Sequence, residues 1–440
     1  MVCPWRQLDD DGSRFQPALA SGEPRSQPRT RKDVLPSGDA MKITQIETLR
    51  LPEHANTVWV QIHSAEGLVG LGETYHVPGA VEAVIHDYAA PFFLGQSAFD
   101  RERHWQSFFS YANFFGHAGA EMRALSALDI ALWDLVGQYL GQPLYNLMGG
   151  RCRDSVPIYN TCVNTPKYPD QDAFLKRPGA LAESLLAQGI RQMKVWPWDR
   201  FAPQLRFAQD TGPAGWTAVG PPGHYLSAED LKAGLWVVQE IRKAVGDRMH
   251  IAIEGHSRWD LNCALRIARA LESYDVIWME DIIQPDSTDD LARLAQETRV
   301  PQAVSERRMT RYAYRDLLER KAAHIAMLDL VWTGGLTEGI KIAALADTYH
   351  LSVTPHDCTG PVNVFAALHL CAATSNAMVQ ETVRGFYEGY YLDVLTQPLP
   401  IREGRAFFDL GPGLGVQLRP ELLARPDLKR RVSDEARAAK

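Results

Sequence analysis

Six short segments of the sequence place an acidic or imidazole side chain directly after an apolar run. They are IAIEGH with Glu254 and His256, IWMED with Glu280, AVSERR with Glu306, MLDL with Asp329, VTPHDC with His356, and MVQE with Glu381. Successive segments are 23 to 27 positions apart, and one strand–helix unit of a (β/α)₈ barrel needs roughly 25 to 30 residues. Because such barrels carry their active sites at the carboxyl ends of the strands, the spacing predicts one shared site.

The three glutamates follow three consecutive predicted strands. Adjacent strands lie about 4.8 Å apart, so Glu254, Glu280 and Glu306 are expected to converge and would repel each other without a cation. An all-oxygen ligand set favours a hard ion, Mg²⁺ first and Mn²⁺ second. The alternative is three separate helix-capping or surface acids, which does not explain their recurrence in step with the barrel units.

Two histidines are candidates for proton transfer. Asp329 and His356 end neighbouring predicted strands, and a carboxylate fixes the tautomer of a histidine and raises its basicity. His356 is therefore a candidate general base. His256 lies two residues beyond Glu254 and points into the same barrel mouth, since strand side chains repeat with period two. It suits a paired acid–base role; the alternative is a histidine that orients a metal ligand.

Glu381 and Lys194 complete the candidate catalytic set. Glu381 ends the last predicted strand, where it either hydrogen-bonds the substrate's developing negative oxygen in its protonated form or pairs with Arg384. Lys194, on the second strand, is expected to contact the substrate carboxylate or else to have a structural role.

The elements that must position these residues are eight strands with helices between them. We predict strands at VPIYN, RQMKVW, HIAIE, VIWME, QAVSE, HIAMLD, LSVTP and AMVQE. Strands that are apolar at nearly every position are typical of a parallel sheet covered on both faces, so the fold class is α/β with a TIM-like (β/α)₈ barrel over residues 151–390. An α+β domain is expected over residues 41–150, with three strands followed by helices.

Three further segments have their own predictions. Residues 1–40, rich in Pro, Ser, Arg and Asp, are expected to be a disordered extension. The insertion between Trp196 and Leu226 contains Trp216, His224 and Tyr225 and is predicted either to cover the active site or to form a surface loop or subunit contact. Residues 391–440 are expected to pack back on the first domain, with a frayed end from residue 424.

Composition excludes several classes of protein. The 440 residues carry a net charge of −7 without a basic stripe, which argues against nucleic-acid binding. The six cysteines are scattered and form no CxxC pair, so neither a zinc site nor a redox motif is indicated. The sequence has no apolar run of about 18 residues and no secretion signal at its start. We expect a cytoplasmic protein that does not bind membranes.

Several of these segments resemble the mandelate racemase/muconate lactonizing branch of the enolase superfamily. LSALDIALWDLVGQYLGQPLYNLMGG resembles the end of the family's capping domain, and WMED, SERR, LDLVWTGGLTE, PHDCTGP and VQE resemble its barrel strand ends in order. The resemblance covers residues 41 to about 422. It implies that the first domain is a capping domain, and that the chemistry is proton abstraction by a Lys or His base with Mg²⁺.

Within this branch the pattern is most similar to acid-sugar dehydratases of the galactonate dehydratase type. In these enzymes an acid-x-His pair on the third strand supplies a metal ligand and a general acid, and Glu254 and His256 match that pair. The usual acid is Asp, so Glu254 departs from the pattern. Racemases carry Lys-x-Lys on the second strand; here Trp196 replaces the second lysine and is expected to contact the substrate instead.

The expected function is therefore Mg-dependent dehydration of an aldonate-like sugar acid to a 2-keto-3-deoxy acid. The substrate is a small carboxylate, and the capping-domain residues Tyr75, His76 and His117 are its predicted contacts. We also expect a homo-oligomer. The alternatives are a racemase or epimerase, in which His256 and His356 act as opposing bases, a cycloisomerase using the same enediolate, and a non-catalytic barrel.

Overall fold

The first domain is built on a small antiparallel sheet. The computed structural model describes residues 41–202 and 223–435, which belong to one compact unit; the predicted extension at 1–40 lies outside these residues, as does Trp216. Strands β1 (Ile43–Arg50), β2 (Thr57–Ser64) and β3 (Val69–Tyr75) form a meander.

The helices of the first domain cover one face of this sheet. They are α1 (Pro78–Ala83), which continues through a π-helical turn (Val84–Ala89) into α2 (Ala90–Phe93), then α3 (Arg101–Ala112), α4 (Ala120–Leu140) and α5 (Leu144–Leu147). Helix α4 lies so close to β3 that a Cβ on Gly72 would sit 1.9 Å from the carbonyl oxygen of Ala127. The Gly-rich strand is therefore what allows the buried helix to approach.

Eight parallel strands form the second domain at the predicted places. They are β4 (Ser155–Thr161), β5 (Gln192–Val195), β6 (His250–Glu254), β7 (Trp278–Glu280), β8 (Gln302–Val304), β9 (Ile325–Leu328), β10 (Ser352–Pro355) and β11 (Gln380–Thr382). The sheet runs in chain order from β4 to β10, and β11 pairs with β4. A parallel bridge between Val353 and Ala377 links β10 to the chain just before β11.

Helices surround the outside of this barrel-type sheet. They are α6 (Asp170–Lys176), α7 (Pro178–Ala187), α8 (Ala228–Val245), α9 (Leu261–Leu271), α10 (Thr288–Glu297), α11 (Thr310–Glu319), α12 (Leu330–Thr333), α13 (Gly335–Thr348) and α14 (Pro361–Ala373). The interior is filled by side chains of several strands, among them Tyr159, Trp278 and Met327. The centre is therefore a packed core, and chemistry must take place at its end.

The C-terminal segment returns to the first domain. It contains α15 (Arg384–Tyr387), α16 (Tyr391–Val394), β12 (Ile401–Arg402), β13 (Arg405–Phe407), α17 (Pro420–Leu423) and β14 (Lys429–Asp434). Strand β14 pairs with β1 in antiparallel register. The frayed end predicted from the charge of this segment therefore does not include residues 429–434. Their backbone pairs with β1, while the side chains of Arg430 and Arg431 are exposed. None of the helices among the described residues is long and apolar enough to cross a membrane.

Candidate active site

A cavity of about 610 Å³ opens at the carboxyl ends of the parallel strands. It is lined by most of the residues singled out from the sequence, namely Lys194, Trp196, Glu254, His256, Glu306 and His356 from the barrel and Tyr75 and His76 from the first domain. Glu280, Asp329 and Glu381 lie behind this lining and are fully buried. The polar residues that recur once per strand–helix unit thus meet in one site between the two domains.

Lys194 ends among three carboxylates from different strands. Its Nζ lies 2.5 Å from Oε1 of Glu280, 3.0 Å from Oε1 of Glu381 and 3.2 Å from Oε2 of Glu254. Burial opposes the charged form of the lysine, but these carboxylates hold its pKa well above the ordinary value. The side chain is therefore an ammonium ion in an acidic ring, with its tip at the cavity wall.

Glu306 belongs to a second acidic group. It lies two residues beyond the end of β8, and its Oε1 is 3.4 Å from Nε of Arg307. Burial and the nearby Glu306 raise the pKa of Asp281 well above its usual range. Oε2 of Glu306 and Oδ1 of Asp281 are buried and have no hydrogen-bond partner among the described residues. Two carboxylate oxygens here are therefore unsatisfied within the described structure.

The three glutamates predicted to bind a metal are thus divided between two groups. Across residues 41–202 and 223–435 no three His, Cys, Asp or Glu side chains are already arranged as a metal site. The physical reason is that Lys194 provides positive charge beside Glu254 and Glu280, whereas Glu306 pairs with Arg307. The donor set nevertheless fits a hard cation: all donors are carboxylate oxygens, Glu254 contacts Glu280, and Oε2 of Glu306 is unsatisfied.

The first histidine–carboxylate pair is His356 with Asp329. Nδ1 of His356 lies 2.7 Å from Oδ2 of Asp329, whose other oxygen accepts a hydrogen bond from the amide of Val331. Burial disfavours the imidazolium, but the neighbouring carboxylates of Glu381 and Asp329 raise the pKa of His356 well above its ordinary value. Since Nδ1 is engaged with Asp329, Nε2 is the atom available for proton transfer.

The second pair was not predicted. Nδ1 of His256 lies 2.6 Å from Oδ2 of Asp199, which follows β5 in a short 3₁₀ helix (Asp199–Phe201). Arg258 contacts the same aspartate, with Nε 3.4 Å from Oδ2. The sequence contained no signal for Asp199, because it lies on a connecting loop and outside the period of the strand ends.

Glu381 does not form the ion pair that was one of its two predicted roles. Arg384 pairs with Asp170 at 2.5 Å instead. Although burial opposes ionisation, Lys194 and His356 lower the pKa of Glu381, and Oε2 accepts a hydrogen bond from the amide of Asp357. Its Oε1 lies 3.0 Å from Nζ of Lys194, and its Oε2 lies 3.8 Å from Nε2 of His356.

The predicted substrate contacts are only partly brought together. Trp196 packs edge-on against His256, with ring centroids 5.6 Å apart, and His76 lies 5.7 Å from the ring of Trp332. Burial, with Arg123 and His356 nearby, lowers the pKa of His76 to about 4, so its imidazole is neutral.

His117 does not line the cavity. It lies on the exposed loop after α3 and borders a separate hollow of about 520 Å³ between α3 and α11. The predicted cover over the active site is also not formed by the described part of the insertion. Tyr225 is 77% exposed, and His224 pairs with Asp260.

Several more residues at the cavity were missed in the sequence, among them Arg123 and Cys358. Arg123 reaches it from α4, and Cys358 lies with Sγ 3.5 Å from Nε2 of His356. The segment PHDC contained Cys358, and its position two residues after His356 was a usable signal. Arg123 stands in a helix whose apolar pattern gave no indication of a site.

The family is shown by comparison with known proteins. Residues 43–149 match the mandelate racemase/muconate lactonizing enzyme N-terminal domain, and residues 179–422 match the enolase C-terminal domain-like family. The chain therefore belongs to the mandelate racemase/muconate lactonizing enzyme family of the enolase superfamily, as the sequence motifs indicated.

Individual relatives agree with this membership. D-xylonate dehydratase of Haloferax volcanii is 30% identical over 385 residues, which covers 86% of this chain and 87% of the relative. D-galactonate dehydratase of Pectobacterium atrosepticum is 29% identical over 391 residues, 87% of this chain and 94% of the relative. A crystal structure of an enolase of the mandelate racemase subgroup from Agrobacterium tumefaciens superposes with a TM-score of 0.80 at 40% identity, covering 90% of this chain and all of that one.

Proposed function

We propose that the protein is an Mg²⁺-dependent dehydratase of sugar acids. The observation that carries this proposal is the pair of carboxylate-bound histidines, His356 and His256, on one cavity above a buried ammonium–carboxylate cluster. Removal of water from adjacent carbons needs a base at one carbon and an acid at the next. Relatives named as xylonate and galactonate dehydratases, aligned over most of their length, support the same reaction class.

His356 removes the proton from C2, next to the substrate carboxylate. Its Nδ1 is engaged with Asp329, so Nε2 takes the proton while the aspartate stabilises the resulting imidazolium. Asn363 supports the arrangement, because its amide donates to Oδ1 of Asp329 at 3.3 Å and to the carbonyl of His356 at 3.2 Å.

The substrate carboxylate binds beside Lys194. The buried ammonium, held by Glu280 and Glu381, stabilises the negative charge that develops on the carboxylate oxygens when C2 loses its proton. Glu254, Glu280 and Glu306 would hold the Mg²⁺ ion, with Mn²⁺ as a possible substitute. When bound, such an ion supplies Lewis-acid stabilisation of an enediolate.

His256 donates a proton to the departing 3-hydroxyl, which leaves as water. The C2–H and C3–O bonds break, an enol forms between C2 and C3, and its tautomer is the 2-keto-3-deoxy acid. Asp199 orients His256 through Nδ1, and the ring of Trp196 packs edge-on beside it. Trp196 cannot take up a proton, which disfavours a lysine–histidine racemase.

The test is a screen of the purified protein with Mg²⁺ against a library of acid sugars, with 2-keto acid formation as readout. We expect turnover of at least one acid and loss of turnover after chelation, restored by Mg²⁺. Glu306→Gln should weaken Mg²⁺ binding measured by calorimetry. An epimer without 2-keto acid would replace the dehydratase by an epimerase, in which both histidines act as bases. No change in any acid would contradict the proposal.

A further inference from the structure

Arg123 lines the cavity from the capping domain and forms no ion pair with a carboxylate among the described residues. It lies in the first turns of α4, and its guanidinium stacks on Trp332 with Cζ 4.6 Å from the ring centroid. Its Nη1 is buried and has no hydrogen-bond partner among the described residues. A partly buried guanidinium that lines a cavity and has an unused donor is suited to bind an anion there.

The acids nearest to Arg123 are already engaged. Glu121, in the same helix turn, accepts hydrogen bonds from the amides of Ala118 and Gly119 at 2.8 and 2.7 Å. Asp329 is fully buried and bonded to His356. Arg123 and Arg307 both line the cavity together with His76, so two guanidinium groups border this part of it. Only Arg307 of these two arginines is paired with an acid, Glu306.

Contacts along the wall separate Arg123 from Lys194, with Trp332 between Arg123 and His356. Lys194 contacts Glu381 at 3.0 Å, and Glu381 lies 3.8 Å from Nε2 of His356. The His356 ring is 5.3 Å from that of Trp332, and Arg123 stacks on Trp332 in turn. A sugar acid with its carboxylate at Lys194 and its C2 at His356 that continues along the same wall past Trp332 would meet Arg123.

We infer that Arg123 binds a second anionic group at the far end of the substrate. The preferred sugar acid is then a dianion, an aldaric acid or a phosphorylated aldonic acid, and a monoanionic aldonic acid is a poorer substrate. This inference rests on the proposed function for the orientation of the substrate. A guanidinium forms two parallel hydrogen bonds with a carboxylate or phosphate, so Arg123 determines specificity through the charge of the remote end.

The chain contains a matched control for Arg123. Arg101, at the start of α3, stacks on Trp133 with Cζ 4.0 Å from the ring centroid, and its buried Nη1 likewise has no hydrogen-bond partner within the part of the chain that the structure describes. It does not border the cavity. Arg101→Gln and Arg123→Gln therefore remove similar stacking within the same domain, and only the second removes a cation from the site.

The experiment compares kcat/KM for aldonic acids with that for aldaric acids of the same configuration, with gluconate 6-phosphate as the phosphate arm. We expect the Mg²⁺-loaded enzyme to prefer dianions. Arg123→Gln should lower kcat/KM for the preferred dianion roughly 10- to 100-fold, the loss of one charge-assisted pair, and leave monoanions nearly unchanged. Arg123→Lys should restore part of the preference, and Arg101→Gln should retain it.

Binding separates this inference from the proposed reaction. The same acids are titrated calorimetrically into His356→Asn and into the double variant with Arg123→Gln. Arg123-dependent binding of dianions without any turnover by the parent enzyme would uphold the anion site while the dehydratase proposal fails. Equal losses for monoanions and dianions, no effect of Arg123→Gln, or no binding of any dianion would overturn the inference, even if aldonic acids are dehydrated.

Discussion

The two histidine–aspartate pairs of the cavity have nearly the same hydrogen bond but different supports. His356 and Asp329 directly follow neighbouring strands, β10 and β9, and the amide of His356 donates to the carbonyl of Leu328 at 2.8 Å. His256 has a positive φ of 46° beyond the end of β6, and Asp199 lies in a loop that leads to residues 203–222. The pair of His356 and Asp329 is therefore held by strands of the sheet, and the pair of His256 and Asp199 is held by the loops that connect the strands to the helices.

The exposure of the two rings follows from this difference. The side chain of His356 is 6% exposed and that of His256 is 23% exposed. The pair on the sheet is suited to a step common to the family, the removal of the proton next to a carboxylate. The pair on the loops is suited to the step that depends on the substrate, since loops vary more readily than strands. We therefore expect the two pairs to control separable steps.

The largest effect should come from His356→Asn. Without a base at C2 neither elimination nor exchange of the C2 proton can begin, so both rates should fall by roughly 10²- to 10⁴-fold. Exchange is followed by NMR in deuterium oxide, and elimination by 2-keto acid formation. Exchange that persists at the parent rate would remove His356 from the role of base.

His256→Asn should separate the two steps. The base remains, so C2 exchange should continue, whereas elimination should fall by a comparable factor because the 3-hydroxyl no longer receives a proton. The ratio of exchange to elimination on the same sample is the measurement, and it is insensitive to small losses of folded protein. Loss of both rates together would contradict separate roles for the two pairs, because proton removal at C2 would then also depend on His256.

The strand-supported pair could be found from the sequence and the loop-supported pair could not. Parallel strands repeat at a nearly constant interval, so Asp329 and His356 are predictable from spacing alone. The same interval identified six of the eight strands and the acids that follow them, whereas β4 and β5 were predicted from the alternation of apolar runs with helical patterns. Asp199 belongs to a connection whose course depends on packing with Arg258, and such tertiary contacts leave no period.

Other differences between the sequence-based predictions and the structure have similar causes. The sequence indicated that Glu306 would meet Glu254 and Glu280, but it could not show that Lys194 lies among the acids or that Arg307 folds back on Glu306. It also could not place His117, because the direction of an exposed loop is set by neighbouring helices.

Asp199→Asn should have a smaller effect than loss of either histidine. Asparagine keeps the shape of the side chain but removes the charge that stabilises a protonated His256. Elimination should fall roughly 10- to 100-fold, as expected for one charge-assisted hydrogen bond, and C2 exchange should be retained. Asp260→Asn is the control, since Asp260 pairs with the exposed His224 at 3.3 Å outside the cavity. An equal effect of both variants would contradict a role specific to Asp199.

The smallest change, a shift in pH dependence, is expected from Glu381→Gln. The carboxylate of Glu381 helps to raise the pKa of His356 against the effect of burial, and a base must be unprotonated to accept the C2 proton. The rate of C2 exchange should therefore rise with pH through the pKa of His356. Removing the negative charge of Glu381 lowers that pKa, so the acid limb of the profile should move to lower pH.

Glu381→Gln also removes one ion-pair partner of Lys194, so the maximal rate should fall as well. The shift of the pKa of His356 is therefore judged from the pH of the acid limb and not from the maximal rate. Thr161→Val provides the comparison, because it removes the hydroxyl that donates to Glu381 while the charge stays. It should lower the rate without moving the limb. If the acid limb of the pH profile does not shift in Glu381→Gln, the pKa of His356 does not depend on the charge of Glu381. The strand-supported pair would then depend on Asp329 alone, just as His256 depends on Asp199.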